Sequence, residues 1–365
     1  MSNRSIWRNF DYLLFGAVIF LSIFGIIVIR SAIAGNVELS GYPNRQALYF
    51  AVGMVVLLGT ALLDYHYWAA LSRYLYVFVL LFLIFTFVTA QARFGAARWI
   101  ETGFVLIQPA EIAKLVMVIV LADYFSRAQS AEKNFRWLLY SFALTAGMVI
   151  WILLQPNLST SIVIFVIWFA MLWISGVPTK FLIALLIGAI IIAIVVFPIL
   201  EPYQQGRILT FFFPDPDARY GNTYNVDQAR ITIGSGGLLG MGYGHGTQVQ
   251  LRFLKVRHTD FIFSVMAEEF GFVGTVLVIA LMCFVVWRCY RAARLSNDMF
   301  GSLLAYGFGT LIFFQMAVNI GVNLNLIPVT GLTLPFISYG GSSLLSLLFG
   351  IGLVESVIAR GKSQL

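Results

Sequence analysis

Ten apolar runs of roughly bilayer-spanning length constrain this chain more than any other feature of it. They cover 11–29, 46–63, 71–90, 109–126, 137–154, 160–176, 179–199, 261–288, 301–322 and 341–359, each near the ~20 residues that carry a helix across a hydrocarbon core. Where water is absent, a continuous apolar segment satisfies its own backbone only as a helix. The rest of the composition agrees: of 365 residues 60% are hydrophobic and 11% charged, mean hydropathy is +0.89, and an ordinary soluble domain is about 25% charged. The expected fold is all-α, a polytopic integral membrane protein of about ten transmembrane helices, with 1–365 forming a single transmembrane domain.

An even number of spans puts both termini on one side, and the basic residues decide which. Arg4, Arg8, Arg73, Arg127, Lys133, Arg136, Lys180, Arg288, Arg291, Arg294, Arg360 and Lys362 fall on one face. The opposite short connections carry only Arg30, Arg45, Arg93 and Arg98. The positive-inside bias makes the richer face, and both termini, cytoplasmic. It also accounts for the net charge of +7, and with no basic patch on a soluble domain nucleic acid is not expected as a partner. Ala32-Ile33-Ala34 resembles a signal-peptide cleavage site, but the apolar core before it exceeds the 7 to 15 residues usual there, so the first run is expected to stay as a helix.

One long polar segment interrupts the pattern, 201–260, between the seventh and eighth runs and hence external. It holds Arg207, Arg219, Arg230, Arg252, Lys255 and Arg257, a turn at 213–217 and seven glycines between Gly234 and Gly246, the last giving closely approachable backbone. The final external connection, through Pro328, Gly331, Pro335, Gly340 and Gly341, is apolar yet broken. Such backbone at membrane depth must pack in protein or line a cavity, so it is expected to be a re-entrant or mouth-lining loop, or else a packed loop without a ligand.

Ionisable residues in spans are costly and by default functional candidates. Gln108, Glu111 and Lys114 lie three apart at the external start of the fourth run, where Pro109 suits a first helical turn. Glu111 and Lys114 could be no more than a mutually neutralising pair. At similar depth stands Asp260, at the mouth of the eighth run; a helix begun there makes Asp260 its N-cap and puts Glu268 about 12 Å deeper, rotated about 80°. Asp260 and Glu268 could then line one water-filled funnel, with Glu269 turned away. Partial desolvation raises a carboxyl pKa toward the range of a general base, while Arg257 and His258 pull the other way. Arg98, Arg207 and Arg45 are external guanidinium groups suited to phosphate oxygens or to lipid headgroups. His66, His245 and His258 are too scattered for a zinc site. Cys283 and Cys289, six apart, face different ways and indicate neither disulfide nor metal. Asp64, Asp123 and Glu355, at cytoplasmic helix ends, carry no expected chemistry.

Seven segments in order, GAARWIETG (95–103), QPAEIAK (108–114), QPNLST (155–160), GSGGLLGMG (234–242), GTQVQLRFL (246–254), HTDFIFSVMAEEFGFVG (258–274) and PVTGLTLPFISYGGSSLL (328–345), resemble the signatures of the SEDS family of RodA, FtsW and SpoVE. The run at 246–254 is nearer to the RodA branch. The resemblance implies a peptidoglycan glycosyltransferase that polymerises lipid II at the outer face of the cytoplasmic membrane during elongation, beside a class B penicillin-binding protein that crosslinks the strands. It implies that Asp260 is the essential aspartate and that Glu111 and Lys114 are the motif pair of the fourth helix. Three positions depart: Lys255-Val256 stands where the family commonly has Pro-Glu, Ala110 where it has Ser, and Asn157 where it often has Asp.

On this reading Asp260 is the general base of an inverting transfer that expels undecaprenyl pyrophosphate. Lys114, Arg98, Arg207, Arg45 or a bound divalent cation could offset the charge on that leaving group, with Glu268 and His258 near the substrate. The rivals are a flippase for the lipid-linked precursor, for which Glu268 is the best-placed residue, and a non-catalytic scaffold for the crosslinking enzyme.

Overall fold

The computed structural model describes residues 7–91, 100–101, 106–127, 135–214, 222–254 and 256–361. All ten apolar runs are helices: α1 (Tyr12–Ala32), α2 (Tyr42–Leu62), α3 (His66–Gln91), α4 (Pro109–Arg127), α5 (Phe135–Leu154), α6 (Leu158–Ile174), α7 (Thr179–Val196), α11 (Ile262–Leu295), α12 (Met299–Asn323) and α13 (Gly341–Arg360). Between α7 and α11 the polar insert forms α8 (Pro202–Phe212), α9 (Asn222–Ser235) and the short α10 (Thr247–Gln250). A two-residue antiparallel pair, β1 (Ile100–Glu101) and β2 (Leu106–Ile107), precedes α4.

Among the described residues eight helices are long and apolar enough to cross a membrane by length and composition; α6 is shorter, and α4 carries Glu111, Lys114, Asp123 and Arg127. α4 escapes lipid by lying inside the bundle, where almost its whole circumference is buried, which keeps those ionisable groups off the hydrocarbon. α12 and α13 join it there, and α13 packs closely on α2 where Gly352 meets the Leu57 backbone, a small-residue contact of the kind that lets membrane helices approach. α7 buries only Leu182 and is peripheral.

Both chain ends meet at one end of the bundle. Asn9 Nδ2 donates to the Ala359 carbonyl at 3.4 Å, and the Asp11 N–H to Glu355 Oε2 at 3.0 Å. The insert and the 324–340 connection occupy the other end.

α11 is broken at Gly271, whose φ of 68° and ψ of −171° are not helical. A break at membrane depth strands backbone groups that must find partners, and the glycine-rich segment supplies them. Met241 and Gly242 N–H donate to the Glu268 and Glu269 carbonyls at 2.9 and 3.0 Å, while Phe272 and Val273 N–H donate to Gly237 and Leu238 at 2.9 and 3.1 Å. Contact this close requires Gly240, since a Cβ there would collide with the Glu269 carbonyl. The glycines read from sequence as approachable backbone are thus what mates the insert to α11.

Candidate active site

Asp260 sits in a turn that ends one residue before α11. The sequence left an N-cap role open for it; the structure has Phe261 in that position and the helix starting at Ile262. The reason is that the three carbonyls of 258–260 are drawn elsewhere. His258 O accepts from Tyr339 N–H at 2.9 Å, and Thr259 O from Ser338 Oγ at 2.8 Å. Asp260 O accepts from Asn319 Nδ2 at 3.1 Å and Asn323 Nδ2 at 2.9 Å. The cap is supplied by α12 instead, Asn323 Oδ1 accepting from Ser264 N–H at 3.2 Å.

These bonds fasten Asp260 under the 324–340 connection, which is non-helical and packed, with Leu332, Leu334, Phe336, Ile337 and Ser338 buried. The backbone is tied down without using the carboxylate. A methyl group at Gly331 would stand 3.8 Å from Asp260 Oδ2, so the acid faces this strap. Burial pushes the Asp260 carboxyl up to about 6, with the positive charge of Arg207 and a hydrogen bond from Thr259 pulling it back.

Arg207, on α8, reaches the same strap, its Nη1 3.5 and 3.4 Å from the Val329 and Thr330 carbonyls and its guanidinium 5.7 Å from the Tyr203 ring centre. It lines a cavity of ≈ 220 Å³ together with Asn157, Ser159, Tyr203, Ile327 and Thr330. Asn157, where the family often has Asp, caps α6 by accepting from Thr160 N–H at 3.3 Å and brings no negative charge to that cavity. Asp260 does not itself line that largely apolar cavity; it is linked to it through the charge of Arg207, and a carboxyl and a guanidinium so coupled suit a proton acceptor beside an anionic leaving group.

The other expected site residues fall in different places. Lys114 Nζ pairs with Glu111 Oε1 at 2.8 Å; both are buried, and Ser346 Oγ lies 3.5 Å from Glu111 Oε2. The pair connects to the strap through Ser346 Oγ, which donates to the Ser343 carbonyl at 2.9 Å, Ser343 Oγ in turn lying 3.0 Å from Thr333 Oγ1. Arg45 is exposed and hydrogen-bonds the Tyr339 hydroxyl, whose pKa burial pushes up to about 12. Tyr339 stacks on Tyr42 at 4.3 Å, and His258 meets Tyr42 edge-on at 5.4 Å. Burial and the charge of Arg257 lower the His258 pKa, leaving the ring neutral at pH 7. Arg98 lies outside the described residues.

Glu268 does not line a funnel with Asp260, a correction to the sequence-based geometry. It is wholly buried and accepts from Gln248 N–H at 2.8 Å, Val249 N–H at 3.3 Å, and the Thr247 and Ser235 hydroxyls, each at 3.3 Å. Its work is to hold α9 and α10 on α11, so the residue that best suited a flippase is enclosed by protein. Glu269 accepts from Ser31 Oγ on α1. Among the described residues no group of three or more His, Cys, Asp or Glu could hold a metal ion.

Asn319 and Asn323 were missed. Two amides four apart share a helix face, and on an otherwise apolar span that spacing is itself a signal.

Over residues 11–363 the chain matches the FtsW/RodA/SpoVE model, described as a cell cycle protein. It belongs to the FtsW/RodA/SpoVE family. Among its members the chain is similar to the peptidoglycan glycosyltransferase MrdB of Escherichia coli (strain K12), 34% identical over 94% of this chain and 91% of that protein. It is as similar, at 34% identity over 94% of this chain and 88% of the relative, to a probable peptidoglycan glycosyltransferase FtsW of Aliivibrio salmonicida. Of solved structures, a chain from a peptidoglycan synthase complex, studied for its coordination of polymerization and crosslinking, superposes with a TM-score of 0.81 at 31% identity, covering 96% of this chain and 97% of that one. The rod shape determining protein RodA of Thermus thermophilus gives 0.73 at 29% identity, covering 97% of this chain and 98% of that one.

Proposed function

We infer that this FtsW/RodA/SpoVE member is a peptidoglycan glycosyltransferase that polymerises lipid II into glycan strands at the outer face of the cytoplasmic membrane, both termini lying in the cytoplasm. It acts in elongation beside a class B penicillin-binding transpeptidase. The domain is single, 1–365, and 201–260 is its external insert.

In the reaction, a sugar hydroxyl of the acceptor attacks the anomeric carbon of the lipid-linked strand. The new C–O bond forms as the bond to undecaprenyl pyrophosphate breaks, with inversion. The hydroxyl proton passes to Asp260, and the leaving oxygen keeps the bonding electrons. Arg207 is the described guanidinium whose charge acts on this acid and offsets the pyrophosphate charge, its fork being suited to phosphate oxygens. Arg45 and Arg98 add to that field, His258 stays a neutral hydrogen-bonding neighbour, and the Glu111–Lys114 pair fixes the start of α4 behind the strap.

The observation that carries the reading is the Asp260 carboxyl, raised to about 6 within the field of Arg207. A base works best with its pKa near the operating pH. The test is to incubate the purified protein with lipid II and no added transglycosylase. Glycan chains are expected. Their absence from a folded preparation that includes its transpeptidase partner would leave a scaffold, and movement of lipid II between leaflets without polymer would leave a flippase.

A further inference from the structure

At the far end of α11 from Asp260 lies a second, larger cavity of ≈ 400 Å³, between the start of α1 and the last turns of α11 and α13. Three charged residues among those described line it, Arg288, Arg291 and Asp11, with the buried Glu355 carboxyl behind Asp11. None of them belongs to the site described above.

Arg288 is fixed before any ligand arrives. Its Nε donates to Asp11 Oδ2 at 2.6 Å, and a second guanidinium nitrogen pairs with the same oxygen. Asp11 is held in turn, Oδ1 accepting from Leu14 N–H at 3.0 Å and its own N–H donating to Glu355 Oε2 at 3.0 Å. Little side-chain entropy is left for Arg288 to lose on binding an anion.

Arg291 is held near it, although like charges three apart on a helix repel. The Trp287 ring lies within cation–π range of both guanidinium groups, 5.6 Å from that of Arg288 and 5.8 Å from that of Arg291, and such contacts offset part of the repulsion. An anion bridging the two arginines would remove the rest.

The surroundings say where that anion comes from. Trp7, Tyr12 and Trp287 are exposed around the cavity, the residue types that settle at headgroup level. Leu13, Phe20 and Ile27 continue the exposed apolar surface along α1 toward the bundle's middle. A charged head with a hydrocarbon tail matches both. Phosphodiester oxygens match the guanidinium fork.

We propose that this cavity binds the phosphodiester headgroup of an anionic membrane lipid, whose acyl chains lie along the exposed face of α1. A zwitterionic lipid would bring a third cation to the two arginines and is discriminated against. The site is independent of the glycosyltransferase reading and stands or falls without it.

The test uses the full-length protein in detergent, with phosphatidylglycerol, phosphatidylcholine and inorganic phosphate as probes, read by native mass spectrometry and thermal shift. Phosphatidylglycerol is expected to be retained and to raise the melting temperature, and phosphatidylcholine to do neither. Arg291→Gln should weaken phosphatidylglycerol binding about tenfold, the loss of one charge-assisted contact, and Arg291→Lys less. Should Arg291→Gln fold poorly, Leu295→Glu places a carboxylate in the same cavity from its part-exposed lining and should abolish retention. Equal retention of the two lipids, or unchanged phosphatidylglycerol binding in Arg291→Gln or Leu295→Glu, overturns the proposal. Displacement of the lipid by millimolar inorganic phosphate would assign the cavity to a soluble anion and overturn the lipid assignment.

Discussion

Asn323 Nδ2 stands 2.9 Å from the carbonyl oxygen of Asp260, while Oδ1 of the same side chain accepts from Ser264 N–H and Oγ in the first turn of α11. One amide therefore fixes the proposed base and caps the helix that follows it. Asn323→Ala removes both functions, and each buried group left unpaired costs about 1–3 kcal/mol. The melting temperature should fall. Asn319 still holds the carbonyl at 3.1 Å, so the fold should survive. Polymerisation per folded molecule is expected to drop about tenfold or more, a small displacement of a reacting group being expensive. A merely structural role would leave the pH profile unmoved; admitting water to Asp260 should shift its acid limb downward.

The wild-type profile follows from Asp260 itself. A base must be ionised, and burial holds this carboxyl at about 6, so the rate should fall as pH drops through about 6. Arg207→Ala removes a charge that keeps the pKa down and should move the limb upward; Arg207→Lys should leave it near the wild-type position. Because the folded pKa lies above the ordinary 3.8, ionisation of Asp260 opposes folding. Its stabilising effect is complete below about pH 4 and is lost as pH rises through about 6. Asp260→Asn is thus expected to be inactive yet up to about 3 kcal/mol more stable at pH 8, with little gain at pH 4. Thermal melts at the two pH values, beside an activity assay, decide it; an active Asp260→Asn enzyme refutes the base.

Lys114 is almost completely buried, and its partner Glu111 lies 2.8 Å away. Glu111→Gln leaves an ammonium group without its carboxylate, a change that costs about 3–5 kcal/mol in buried pairs. Glu111→Gln with Lys114→Met removes both charges and should recover most of that loss. Melting temperatures of the single and double variants measure the coupling. If the double variant folds but does not polymerise, the pair takes part in the reaction beyond holding α4.

The helices were legible because hydrocarbon imposes one rule on every apolar run, and all ten runs are helical. Asp260, Glu111 and Lys114 were legible as charges at the ends or within the first turns of such runs. The partners of Glu268 were not, because Ser235, Thr247, Gln248 and Val249 reach it through chain reversals that no periodicity encodes. Extending α11 as an uninterrupted helix from Asp260 failed for a related reason. A glycine inside an apolar run does not by itself announce a break, and Gly271, unlike Gly274, becomes one because the 237–242 segment is there to satisfy the backbone groups it frees. The strap was recognised as irregular and membrane-deep, but its bonds to 258–260 depend on Ser338 and Tyr339 meeting a turn some 80 residues earlier in the chain.

That break gives the sharpest test of how the insert is held. At Gly271, φ is 68° and ψ −171°, a region open essentially to glycine alone, and a Cβ would also collide with the Gly240 nitrogen. Gly271→Ala should therefore undock the 237–242 segment and forfeit its four backbone bonds to α11. Gly244→Ala is the control, since φ there is also positive, 74°, but nothing lies within 4 Å of the added carbon; it carries a positive-φ cost without the collision. Limited proteolysis in detergent should cut Gly271→Ala readily between 236 and 254 while helix content by circular dichroism stays near wild type. Polymerisation should be lost with it, because the chain reaches Asp260 directly from this insert. Gly244→Ala should resist the protease and keep most activity. Equal behaviour of the two variants would mean that positive-φ backbone alone is being measured, and that close docking of the insert on α11 does not hold Asp260 in place.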